Sequence, residues 1–220
     1  MSKRKRNNII SLIINTIIFA STLIIVVHGF IYGAGEGQLG EGMKGLGYFK
    51  AFTIDSNILS GICSLMIIIY NIRNIKDNSK TNKNIEVLQM VGASSVMLTF
   101  LTVLLFLAPT EAVNGRDFFK MYYGDMLFFH LLNPILAFIS ITLFNKDNKL
   151  DNKTAFLGVI PTFLYSILYL VMVVVISRWD DFYGFTFGGK NYFIPAVFVI
   201  MYMSSYIISL IITKLHNRNI

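Results

Sequence analysis

Ile9-Ile10-Ser11-Leu12-Ile13-Ile14-Asn15-Thr16-Ile17-Ile18-Phe19-Ala20-Ser21-Thr22-Leu23-Ile24-Ile25-Val26-Val27 runs without a single charged side chain. A block of ~20 apolar residues is what a helix needs to cross a hydrocarbon layer of roughly 30 Å. Lipid offers no partners to backbone N–H and C=O groups, so such a block must bond to itself as a helix. The leader Met1-Ser2-Lys3-Arg4-Lys5-Arg6 resembles the start of a signal peptide. The apolar run behind it is longer than the usual core of such a peptide, and no small-x-small cleavage site follows. It reads as a retained first span, about residues 9–32.

Five more blocks repeat the pattern, at about 48–70, 85–108, 125–144, 155–176 and 193–212, the third ending at Pro109. The expected fold is all-α: a polytopic integral membrane protein with six transmembrane helices in one bundle, residues 1–220 forming a single domain. Composition agrees. Hydrophobic residues make up 55% and charged residues 14%, against about 25% charged in soluble domains. The longest loops, about seventeen residues, are too short to bury a core of their own.

The net charge of +7 does not point to nucleic acid, because the basic residues lie in short loops between apolar blocks. With the N-terminus inside, thirteen of the 19 Lys and Arg fall on the cytoplasmic side. The expectation is therefore that both termini are cytoplasmic and that membrane lipids are the surrounding partner. Trp179, Tyr183 and Tyr122 fit an outer interfacial belt. Cys63 is the single cysteine, so neither an internal disulfide nor a cysteine metal cluster can form.

Ionisable and polar side chains inside a span are costly and mark candidate sites. Span two opens with Thr53, Asp55, Ser56 and Asn57; span four holds Asp125, His130, Asn133 and Pro134; span one carries His28 near its end. At 1.5 Å per residue, Thr53 and His130 lie roughly 7 Å below the outer boundary, with His28 at a similar level. Thr53, Ser56, Asn57 and Ser60 share one helix face at offsets of three and four, a stripe expected to face the bundle interior. Asp55 points elsewhere. Pro134 deprives the His130 carbonyl of its helical partner, so a kink is expected there. A threonine hydroxyl becomes a nucleophile when a base such as a neutral imidazole takes its proton. The bland reading stands beside it: Thr and Ser bond to nearby carbonyls as packing groups, and a lone buried His is often a hydrogen-bonded bundle residue.

At these residues a resemblance appears. Tyr48-Phe49-Lys50-Ala51-Phe52-Thr53-Ile54-Asp55-Ser56-Asn57, followed by Phe129-His130-Leu131-Leu132-Asn133-Pro134, resembles the androgen-induced and androgen-dependent (ADTRP-like) membrane proteins. Their bacterial six-span relatives look closer still, which implies a bacterial plasma membrane. The likeness extends loosely over nearly the whole chain. It implies an intramembrane hydrolase of fatty acid esters of hydroxy fatty acids, with Thr53 as nucleophile, His130 as base and Asn57 in support. Asp55 is an acid added within the motif. The other class of reading is non-enzymatic: a small-molecule transporter, sensor or assembly factor using the same cluster, with Asp55 and His28 carrying protons or binding a ligand.

Other motifs carry less. Residues 35–40 and 40–45 both fit G-x-G-x-x-G. A dinucleotide site needs a preceding strand and a soluble βαβ unit, and here a membrane span precedes. The bland reading is an outer loop over the bundle mouth; a lid over Thr53 is the alternative. His28, His130 and Asp125 have ligand chemistry suited to zinc, but three helix ends would have to converge; no metal or other cofactor is expected. The stretch Asp180-Asp181-Phe182-Tyr183-Gly184-Phe185-Thr186-Phe187-Gly188-Gly189 is aromatic and expected outside, with no mechanism attached.

Overall fold

The computed structural model describes residues 2–33, 43–77 and 79–218. The first glycine motif and the first half of the second fall on residues 34–42 and so lie outside the described residues. The described chain has six helices long and apolar enough to cross a membrane: α1 (Lys3–Tyr32), α2 (Phe52–Asp77), α3 (Lys83–Val113), α4 (Asp125–Phe144), α5 (Asn152–Val175) and α6 (Asn191–Asn217). They pack as one helical bundle.

The third helix is the hub, touching α2, α4, α5 and α6, while α1 lies against α2 and α4. Burial follows from that placement. Along α3, residues 89–96 are buried without interruption. In α1, Ile13, Ile17, Leu23 and Ile24 are exposed on the outer face, the face a lipid would cover. Lipid tails are as apolar as leucine, so membrane helices associate through close packing and small residues. Gly92 of α3 meets Cys63 of α2, where a Cβ would stand 3.1 Å from Sγ; at Gly158 of α5 it would stand 2.4 Å from Ser209 Oγ of α6.

Helices α1, α2 and α6 run on beyond the expected spans at Lys3, Asp77 and Asn217, and two further boundaries move for identifiable reasons. The third span continues past Pro109 to Val113. Residues Val103–Leu107 form a π turn, and Ala108 N donates to Val103 O in the wider register. Pro109 then falls in the first turn of the next segment, where a missing N–H costs nothing. At His130, where a kink is expected, the chain uses the same device: Phe128–Leu132 is a π turn closed by Asn133 N on Phe128 O, with Pro134 in the following first turn. The second span starts later than expected, because Gly45–Lys50 is a 3₁₀ turn and α2 begins at Phe52. Thr53 is therefore in the first turn of its helix rather than deep within it.

Both termini lie at one end. Arg4 pairs with Asp147 at 3.2 Å, and Lys146 Nζ donates to Leu215 O at 3.4 Å. Beneath that end the Glu86 carboxylate accepts from Asp147 N at 2.8 Å and Asn148 N at 3.0 Å. His216, also fully buried, sets its two ring nitrogens against Ile141 O and Asn148 O, each at 2.8 Å. These contacts tie the α4–α5 connection to α3 and α6.

Candidate functional site

The polar stripe of α2 faces inward: Thr53, Ser56, Asn57 and Ser60 are all buried. Asn57 is its anchor. Its amide nitrogen donates to Thr53 O at 2.8 Å within the helix and to Phe129 O at 3.2 Å across to α4. Its amide oxygen accepts from Asn133 Nδ2 at 3.2 Å. Asn133 continues the chain into α1, donating to Thr22 Oγ1 at 3.3 Å and accepting from Ser21 Oγ at 2.9 Å. Three helices thus meet at two asparagines whose polar atoms all have partners. Both N–H groups of Asn57 are committed to backbone carbonyls. Asn57 and Asn133 join α1, α2 and α4.

His130 follows Phe129, the residue whose carbonyl takes the Asn57 bond. Its ring is buried, Nδ1 lies 2.6 Å from Met121 O, and the Tyr122 ring stands edge-on to it at 6.4 Å. A carbonyl can only accept, so Nδ1 carries a proton, and in the neutral ring Nε2 keeps its lone pair. That is the tautomer a general base needs. Nε2 has no hydrogen-bond partner among the described residues, and neither has the Thr53 hydroxyl. The Asn57–Phe129 bond brings α2 and α4 together close in sequence to both residues, but no hydrogen bond joins Thr53 to His130.

Helix α2 begins in an aromatic grip that the sequence did not reveal. Tyr183, in the α5–α6 connection, accepts from Phe52 N at 3.0 Å. Tyr165 of α5 donates to Lys50 O at 2.7 Å. The Tyr183 ring stacks on Phe185 at 5.1 Å and lies 5.7 Å from Tyr169. Beneath this layer, Asp181 collects Tyr169 Oη at 2.6 Å, Phe185 N at 2.9 Å, and both N and Oγ1 of Thr186 at 2.8 Å and 2.6 Å. Burial pushes the Asp181 carboxyl up, but hydrogen bonds from Thr186, Tyr169 and Phe185 outweigh it and hold it below the usual range. The stretch 180–189 is thus a folded cap, pinned by one carboxylate and reaching the start of α2. Its only sequence signal was the density of aromatic residues around two aspartates.

The remaining residues do not join this cluster. Asp55 opens on a groove of about 240 Å³ between α2 and α5, among Phe52, Leu59, Leu164 and Leu168. His28 is half exposed and its Nδ1 lies 3.5 Å from Asp125 Oδ2. Asp125 begins α4, so His28 sits outward of His130 rather than level with it. Among the described residues no three His, Cys, Asp or Glu side chains stand close enough to share a metal ion. Ser56 Oγ meets Thr99 Oγ1 at 3.0 Å, which ties the stripe to α3 instead.

No family model, curated protein or solved structure matches this chain.

Proposed function

We propose that the protein is an intramembrane hydrolase of fatty acid esters, with Thr53 as nucleophile and His130 as general base. The observation that carries the reading is the pinned imidazole. Met121 O fixes the proton on Nδ1 of a buried ring, one residue from the Asn57–Phe129 bond that ties its helix to the one carrying Thr53. The resemblance of the segments around Thr53 and His130 to the ADTRP-like membrane hydrolases points the same way.

Thr53 lies in the first turn of α2. Phe52 N there already donates to Tyr183 Oη, and Ile54 N and Asp55 N to Ala51 O, so what the turn offers Thr53 is the positive end of the helix dipole, which favours negative charge. An alkoxide forming on Thr53 would be stabilised by that field. In the proposed sequence, Thr53 Oγ1 attacks the ester carbonyl carbon while Nε2 takes its proton. The tetrahedral adduct collapses, and the departing alkoxide leaves with that proton as the alcohol. Water then adds to the acyl-threonine, losing a proton to Nε2, and fatty acid and free Thr53 are released as the proton returns. An ester dissolved in the membrane would reach the site laterally.

The purified protein should hydrolyse a fatty acid ester of a hydroxy fatty acid in detergent or nanodiscs. Thr53→Ala and His130→Ala should each reduce turnover by at least about 10²-fold with the helical circular dichroism unchanged. Undiminished turnover in either folded variant would end the proposal. A second reading, a non-enzymatic transporter, sensor or assembly factor, is favoured by one observation: Thr53 and His130 are not hydrogen-bonded. It expects ligand-induced stabilisation that survives Thr53→Ala and no product.

A further inference from the structure

The end of the bundle that carries both termini holds a cleft that the hydrolase proposal does not use. It measures about 460 Å³ and runs between the start of α1 and the end of α4, with Lys3, Arg4 and Asn7 on one wall and Lys146 on the other. The acid on its rim, Asp147, already holds Arg4 at 3.2 Å and accepts from Thr81 N at 2.9 Å. Lys3 and Lys146 face the same space, and neither forms an ion pair with a carboxylate among the described residues. The Lys146 ammonium is held below its usual range, by burial and then by repulsion from Lys3. Lys146 Nζ donates to the carbonyls Leu215 O and Arg218 O at the end of α6, so its charge is held at the cleft without being neutralised, and an anion between it and Lys3 would balance both.

The neighbouring surface identifies the anion. A second depression, about 380 Å³, shares Thr142, Leu143 and Lys146 with the first and continues along Phe138 and Ile139 toward Leu215. It descends α4 along the outside of the bundle, and Leu143 is 58% exposed there. A small inorganic anion has no use for such a surface, whereas an acyl chain does. The joined shape is a cationic head site above an apolar track, at the depth where headgroup meets hydrocarbon. Basic pockets of this kind between membrane helices suit anionic lipid headgroups.

We propose that this cleft binds an anionic phospholipid, its phosphate between Lys3 and Lys146 and one acyl chain along Leu143, Phe138 and Ile139. The bound lipid would join α1, α4 and α6 at the end opposite Thr53. The proposal is independent of the hydrolase reading and uses none of its residues.

The test uses the full-length protein in a neutral detergent, with thermal unfolding as readout. Dioleoylphosphatidylglycerol should raise the midpoint in a saturable way, while dioleoylphosphatidylcholine and inorganic phosphate should not. The Lys3→Gln, Lys146→Gln double variant should need on the order of tenfold more phosphatidylglycerol for the same shift. Lys76→Gln with Lys80→Gln, which removes the same charge from exposed positions, should respond like the native protein. Lys146 also donates to Leu215 O, so Lys3→Gln alone, at an exposed position, gives the decisive comparison if the double variant does not fold. Equal stabilisation by phosphatidylcholine, an equal shift with inorganic phosphate, or an equal loss in the charge-matched control would each overturn the proposal.

Discussion

Asn57 and Thr53 stand one helical turn apart on the same buried stripe, and their side chains have opposite circumstances. Every polar atom of the Asn57 amide is engaged, across two helices. The Thr53 hydroxyl engages nothing among the described residues. Removing a partner from a buried network leaves the other groups unsatisfied, at about 1–3 kcal/mol each. Asn57→Ala should therefore lower the unfolding midpoint by several degrees, whereas Thr53→Ala should leave it within about 1 °C. Thermal denaturation of the two variants side by side checks this; a large loss in Thr53→Ala would show that its hydroxyl is structural. The inward face of this stripe was legible from the spacing of Thr53, Ser56, Asn57 and Ser60 alone. What pins His130 was not, because its partner is the carbonyl of Met121, and a backbone acceptor leaves no trace in residue identity.

Among the elements, the cap formed by residues 180–189 makes the sharpest predictions. Its carboxylate is held below the ordinary range in the folded state. A depressed carboxyl stabilises the fold above its unfolded value, ~3.9 for Asp, and that contribution is lost as pH falls through the lower folded value. The cap should stay closed at neutral pH and loosen only below about pH 4. Trp179, the single tryptophan of the chain, lies 6.4 Å from Phe182 and beneath Lys50, so its fluorescence reports the change directly. Asp181→Asn should show the loosened spectrum already at pH 7; a spectrum identical to the native one would contradict this account of the cap.

A second prediction at this scale concerns close helix packing. The Cβ of Gly158→Ala would stand 2.4 Å from Ser209 Oγ and 2.7 Å from Ser209 Cβ. Overpacking of that kind costs typically 1–3 kcal/mol, and Ser209→Gly in the same chain should restore most of the lost stability. No rescue in the double variant would place the strain elsewhere. Element existence was readable in the sequence, since each span is a long apolar block. The run of α3 through Pro109 was not, because proline ends a regular α-helix and only the π turn before it removes the conflict.

At the scale of the molecule, hydropathy alone disclosed six spans in one bundle. It could not disclose that α3 is the hub or that α2 and α4 touch, because in lipid every apolar face is equally acceptable to its solvent. Contacts between spans are decided by small residues and by polar pairs such as Asn57 with Phe129 O, whose partners lie far apart in sequence. Both termini share one end, and the excess of basic residues there predicts that this end is cytoplasmic. In a Cys63→Ser background, single cysteines at Ser2 and Arg218 should be labelled only after the membrane is permeabilised. A cysteine at Asn114, an exposed position between α3 and α4, should be labelled in intact cells. The reverse pattern would invert the orientation and place Thr53 near the inner face.

The central claim is that an imidazole on α4 activates a hydroxyl on α2, and covalent trapping tests it most directly. The native protein, incubated with a lipid-like fluorophosphonate and digested, should carry one adduct, on Thr53, and folded His130→Ala should carry none. An unmodified Thr53 in the native protein, or equal labelling in the His130 variant, would contradict the account.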